Sequence, residues 1–255
     1  MAEMSELLRL QQTLARLYTD PAFRDDWRNG RVRTEARQVQ AMLASARSKQ
    51  LGLDFTATLI SRKRERRIRR EIPLTAGCSP PDLWSQAWQA FERAHPPSAT
   101  RALNQDAEAM LQVLGSNLRD AVRATLLEDA ATLDRAALRA RRSAETGHST
   151  VIPQSDAFIL ATGTTLCTLS CRPEDLYDFA TGVRATMPNL AQTWAVVFCD
   201  RRERPPRART AVVSTRIAAL LNAAACKVLR PSAEGPGDLA TCLKLVRIGV
   251  LEAQG

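Results

Sequence analysis

Apolar side chains recur every three or four residues through the first part of the chain, and as short alternating or unbroken runs after about residue 150. The first spacing is that of helices with one buried face, and the second is that of strands. In "SELLRLQQTLARLY", Leu7, Leu10, Leu14 and Leu17 form one stripe behind Ser5, placed as an N-cap, which predicts an amphipathic opening helix. "DPAFRDDWRNG" follows with Pro21 at a first-turn position, and then a helix is expected around Thr34 to Lys49. A long helix should begin near Asp54 and stop at Pro73, which cannot continue it. "PPDLWSQAWQAFERAHPP" reads as a helix bracketed by prolines, with Trp84, Trp88 and Phe91 at i, i+4 and i+7 facing a core. Two further helices are predicted over about 99–114 and 117–142, and the polar "RRSAETGHST" reads as a linker.

Beyond Thr150, β-branched and aromatic runs stand between turns: "AFILAT", "TTLCTL", "TWAVVFC" and "ARTAVV". Both faces of "TWAVVFC" are apolar, so this strand is expected to be covered on both sides. "DRRERPPR" is then an exposed loop. From Ser214 a helix places Ile217, Leu220, Leu221 and Ala224 on one face, and from Asp238 another does the same with Leu239, Cys242, Leu243 and Val246.

A length of 255 residues accommodates two compact units, and 45% apolar with 25% charged residues is the composition of a globular protein. The formal charge of +9 raises the expectation of an acidic or polyanionic partner without choosing between them. Six dispersed cysteines, several inside apolar runs, suit a reduced cytoplasmic protein in which thiols pack as small hydrophobes. No apolar run is long enough for a signal segment or a membrane span.

Groups for catalysis are scarce. His95 sits beside Pro96 and Pro97 at a helix end and His148 in the linker, neither with ligand or base spacing around it. Cys167 and Cys171 form a C-x₃-C without a second pair or a neighbouring histidine, which argues against zinc. Asp25 with Asp26, and Glu174 with Asp175, are helix-start carboxylates. Glycine-rich phosphate loops and nucleophile-elbow patterns are missing from the sequence. These observations predict a protein that binds, with no catalytic residue and no metal ligand in the chain.

The densest charge lies in "LISRKRERRIRREIPL", where Arg62, Lys63, Arg64, Arg66, Arg67, Arg69 and Arg70 accompany a thin apolar set of Phe55, Leu59, Ile60, Ile68 and Ile72. A nucleic-acid reader adds base-reading polar side chains on one face or aromatic stacking platforms, and neither is present in this run. Arginine stems that lie on apolar surface with their forks on carboxylates fit it better, whether the carboxylates are internal or on a protein partner.

The order of "LLRLQQTLARLYTDPAFRDDW", "LGLD" and "KRERRIRREIPLT" resembles the helical proteins that accompany multinuclear non-haem iron enzymes in peptide natural-product pathways. In that family a lysine-arginine and proline-leucine-threonine signature closes a long helix, matched here by Lys63, Arg64, Pro73, Leu74 and Thr75. "TWAVVFCDRRERPPRARTAVVSTRIAALLNAA" and "DLATCLKLVRIGVL" look like the peptide-recognition element of ribosomally made, modified peptides, a small winged-helix relative of PqqD. Together they make the chain similar to the TglI-type partner proteins of thiaglutamate biosynthesis.

The resemblance implies an α+β chain: an all-helical docking domain over residues 1–147, then an α/β domain over 148–255 whose winged-helix-like element spans about 190–255. It implies a non-catalytic subunit that binds a leader or carrier peptide and forms a heterodimer with an iron-dependent oxidase of TIM-barrel fold. The chain itself would carry no cofactor, the iron belonging to the partner, which excises the β-carbon of a C-terminal cysteine of the carrier. The peptide would add as a strand beside Arg207 to Val213, with Arg207, Arg209, Ala211, Val213, Lys244 and Arg247 around it. Arg62, Arg66 and Arg70 would face the oxidase. The competing reading is a winged-helix DNA-binding protein or regulator, whose affinity for duplex DNA would fall steeply with salt.

Overall fold

The computed structural model describes residues 2–32, 41, 44–45, 50–97, 102–115, 121–145, 157–200, 207–226, 228–230 and 236–253. Most of the helix expected at 34–49, the 147/148 division, His148 and most of the "DRRERPPR" loop lie outside the described residues. The chain is mixed α+β and splits into two compact units, one of residues 1–71 and 80–117, the other of 72–79 and 118–255. Among the described residues, no helix is long and apolar enough to cross a membrane.

The first unit is helical: α1 (Ala2–Thr19), α2 (Pro21–Arg28), α3 (Gln50–Glu71), α5 (Pro81–Ala94) and α6 (Leu103–Gly115). Helix α1 starts at Ala2, so Ser5 lies inside it and does not cap it. Asp20 caps α2 instead, its Oδ1 accepting from the Phe23 amide at 3.0 Å, with Pro21 at the first helical position. Leu17, Trp27 and Leu53 from three helices close a small core. Trp84, Ala87, Trp88 and Phe91 form the buried face of α5, as their spacing predicts, and Ala107, Met110, Leu111 and Leu114 form that of α6.

The second unit begins with α4 (Pro73–Cys78), a short helix that starts where the proline ends α3. It continues with α7 (Ala121–Glu145), β1 (Phe158–Leu160), β2 (Thr165–Leu169), α8 (Pro173–Ala180), β3 (Thr193–Asp200), β4 (Arg207–Val213), α9 (Thr215–Cys226), α10 (Pro236–Arg247) and β5 (Leu251–Ala253). Strands β2, β3 and β4 form an antiparallel sheet in that order, and β1 pairs antiparallel with β5 in a separate ribbon. Val196 of β3 faces Leu166 of β2 and Ala211 of β4 in register.

Strand β3 carries the centre of the unit. Residues 195–200 are all buried, and alternation divides them between two cores. Ala195, Val197 and Cys199 pack with Leu126, Ala130, Leu133, Ala136 and Ala140 of α7. Val196 and Phe198 pack with Leu221 and Ala224 of α9 and Cys242 and Leu245 of α10. The strand is thus covered on both sides, as its sequence requires. Because the small-residue stripe of α7 is one of these covers, the last predicted N-terminal helix groups with the α/β unit; the compact division differs in this from the expected 1–147 domain.

Candidate functional site

Three places carry the polar chemistry that the sequence points to: the basic helix α3, the start of α4, and the sheet edge at β4 with its helices.

Helix α3 turns out to be two-faced. Leu53, Ala57, Arg64 and Ile68, at i, i+4, i+11 and i+15, are buried. Arg64 is thus an inward residue, only 9% exposed. Its Nε and Nη2 donate to the two carboxylate oxygens of Asp106 at 3.0 and 2.8 Å, its Nη1 donates to the His95 carbonyl at 2.7 Å, and its guanidinium lies 4.6 Å from the Phe91 ring centre. This is the planar fork satisfied by a bidentate carboxylate, the geometry that makes a buried arginine tolerable. Arg69 is held at the flank, donating to Glu65 Oε1 at 3.0 Å and lying 4.1 Å from the Trp84 ring centre, while Trp84 Nε1 donates to the same Glu65 oxygen at 2.8 Å. The expected partner residues Arg62, Arg66 and Arg70 are exposed on the other face with Lys63 and Arg67. Phe55 and Leu59, part of the thin apolar set of this helix, are on that outer face too, 66% and 50% exposed. The reason is helical phase: with Leu53, Ala57 and Arg64 turned inward, positions 55 and 59 face out.

The segment Pro73-Leu74-Thr75 opens α4. Pro73 occupies its first helical position, and Ile72 at the cap has no side-chain acceptor for the free amides. Asp134 of α7 supplies one from across the core, its Oδ2 accepting from the Thr75 amide at 2.8 Å and the Thr75 hydroxyl at 2.7 Å. Burial pushes the Asp134 carboxyl up to about 6, against the lowering effect of the bonds from Thr75 and of Arg141. The folded state therefore binds this proton more tightly than the unfolded state does. Its contribution is greatest below the unfolded value and is lost as pH rises through about 6. Relative to Asp134→Asn, wild-type stability should fall by on the order of 3 kcal/mol between pH 4 and pH 7, as read from denaturant midpoints. A constant difference across that range would contradict the assignment.

Strand β4 is an edge strand. It pairs with β3 on one side, and no described strand pairs with its other side. Arg207, Arg209, Ala211 and Val213 share one face of the strand by alternation. Ala211 and Val213 are half-buried against the core beneath α9 and α10, whereas Arg207 and Arg209 are exposed near the start of the strand. On the opposite face Thr210 is exposed and Val212 is 44% exposed. Sequence reasoning did not single out Val212, which shares its face of the strand with Ala208 at the margin of the α7 core.

Lys244 and Arg247 are exposed in the last turn of α10. The helix buries Cys242 and Leu245 with Leu239 and Val246 half-buried, while Leu243, expected inside, is 37% exposed. Arg207 and Arg209 lie together on β4 and Lys244 and Arg247 together on α10, and the two elements share one core through Ala211, Val213, Cys242 and Leu245. Helix α9 begins behind Ser214, whose hydroxyl accepts from the Ile217 amide at 3.4 Å.

The reactive side chains are tied into structure. Burial pushes the thiols of Cys78 and Cys171 up to about 12 and that of Cys167 up to about 11, so all three are neutral thiols at physiological pH. Asp129 is buried, its Oδ2 accepting from the Ser170 amide at 2.7 Å and lying 3.6 Å from Cys171 Sγ. His95 ends α5 with its ring 5.2 Å from that of Phe91. Among the described residues no three His, Cys, Asp or Glu side chains gather as a metal site. No protein-family model matches the chain, and no curated protein matches it.

Proposed function

We propose that this protein is a non-catalytic subunit that captures an extended peptide on β4 and presents it to a separate iron-dependent oxidase. The observation that carries the reading is the edge strand: β4 has paired neighbours on one side only among the described residues, and its exposed start is basic. An extended peptide completes such an edge with main-chain hydrogen bonds, and the side chains of Arg207, Arg209, Thr210 and Val212 select among sequences. The antiparallel β3–β4 pair followed by α9 and α10 has the element order of a winged-helix-like peptide-recognition element, which supports assigning that fold to the C-terminal part. Lys244 and Arg247 are assigned to the acidic stretches of a leader, and the exposed Arg62, Arg66 and Arg70 to the oxidase. In this reading the chain acts in the cytoplasm, and the oxidase supplies the iron and modifies a cysteine of the carrier, by β-carbon excision if the resemblance extends to the chemistry.

The same resemblance leaves duplex DNA as the rival ligand, and the two separate cleanly. Arg209→Glu with Lys244→Glu should weaken binding of the carrier peptide about tenfold, since rim charges set affinity and encounter rate. Unchanged peptide affinity in the double variant, or full oxidase turnover without this chain, would sink the reading; a steep salt-dependent affinity for duplex DNA would favour its rival.

A further inference from the structure

The outer face of α3 combines two features that a merely solvated basic helix does not need. Phe55, Leu59, Arg62, Arg66 and Arg70 recur at i, i+4, i+7, i+11 and i+15, a single stripe roughly 22 Å long, with Lys63 and Arg67 beside it. Its first turns are apolar and exposed, and its last turns are cationic and exposed. The carboxylates of the helix lie off the stripe: Asp54 pairs with Arg28, Glu65 pairs with Arg69, and Glu71 falls on the opposite side by phase. Among the described residues, the ion pairs of this helix fall on Asp54, Arg64, Glu65 and Arg69, off the stripe, whose charged half is cationic throughout.

We infer that this stripe docks a protein surface of complementary pattern, an apolar pocket for Phe55 and Leu59 followed by a row of carboxylates for Arg62, Arg66 and Arg70. Charge complementarity excludes a second copy of this face, and the polarity of the stripe argues against the other anionic partners. A phosphate backbone gains nothing from two exposed apolar anchors placed ahead of the cations. A membrane surface favours apolar side chains flanked by cations along a helix, whereas here the two sets are segregated end to end. A protein partner uses both, since desolvated apolar anchors supply affinity and the charge row supplies register and encounter rate. The inference deepens the docking part of the reading above and is independent of peptide capture on β4.

The test uses a synthetic helical peptide of about five turns, with two leucines followed by glutamates at the matching spacing, and a scrambled peptide of the same composition. The patterned peptide should bind the full chain about tenfold more tightly than the scrambled one, and Phe55→Ser with Leu59→Ser should remove that preference. Arg66→Glu with Arg70→Glu should weaken both peptides without shifting the unfolding midpoint, because these side chains are exposed. Equal binding of the two peptides, or a preference that survives Phe55→Ser and Leu59→Ser, overturns the inference. So does binding to phosphatidylglycerol vesicles that depends on Phe55 and Leu59, or to duplex DNA that depends on Arg66 and Arg70, in the absence of the peptide preference. Carrier-peptide affinity measured on the same variants should not change, which separates failure of docking from failure of peptide capture.

Discussion

Replacing Asp106 by alanine is expected to lower stability by about 3–5 kcal/mol, because it strands a buried guanidinium with its carboxylate partner gone. Arg64 is 9% exposed and would keep its bond to the His95 carbonyl and its place over Phe91, but lose both bonds to Asp106. The pair itself need not be a net source of stability, since desolvation of two charges offsets much of their attraction. The distinguishing variant is therefore Arg64→Met combined with Asp106→Leu, which removes both charges and should recover most of the loss. Denaturant unfolding of the two variants measures this directly. Equal destabilisation by the single and the double change would mean that packing, and not the unpaired charge, is the source.

The second large effect is expected at Gly77. A Cβ built there would lie 2.2 Å from the Ala180 carbonyl oxygen and 2.8 Å from its carbon, so α4 and α8 approach each other at backbone distance. Backbone atoms cannot rotate away as a side chain does, and the two helices would have to separate. Gly77→Ala should cost about 1–3 kcal/mol through this overpacking. Gly115→Ala is the control, because a Cβ there meets nothing within 4 Å and the glycine ends a helix. A Gly77→Ala midpoint equal to that of the control would contradict the close approach.

These two residues also show where the sequence was legible and where it was not. The core face of α5 was readable because Trp84, Trp88 and Phe91 repeat at helical spacing, and β3 was readable because apolar residues occupy both of its faces. The phase of α3 was not. Hydrophobicity alone turns Phe55 and Leu59 inward, but the inward position is held by Arg64, whose burial depends on Asp106, far away in sequence. Pairing between distant charged residues leaves no local periodicity. Pro73 and Thr75 stood out in the sequence, but their structural role did not, because the cap of α4 comes from Asp134 on another helix. Short elements escaped for the opposite reason: α4 and β5 are too brief to show a period. At the candidate site, Arg207 to Val213 was recognised as a strand and emerges as a sheet edge, while the exposure of Val212 and Leu243 depends on which core each element meets.

The proposed task of the β4 edge makes no demand on the thiols of Cys78, Cys167 and Cys171 or on the capping carboxylate of Asp134. Main-chain hydrogen bonding along a strand asks for geometry and an open partner side, not for a nucleophile or a metal. Amide hydrogen exchange, followed residue by residue as the carrier peptide is added to the full chain, tests this most directly. Strand addition predicts that amides between Arg207 and Val213 slow by about tenfold or more at saturation, while those at the centre of β3 change little. Saturable binding of the peptide with unaltered exchange throughout β4 would contradict the account.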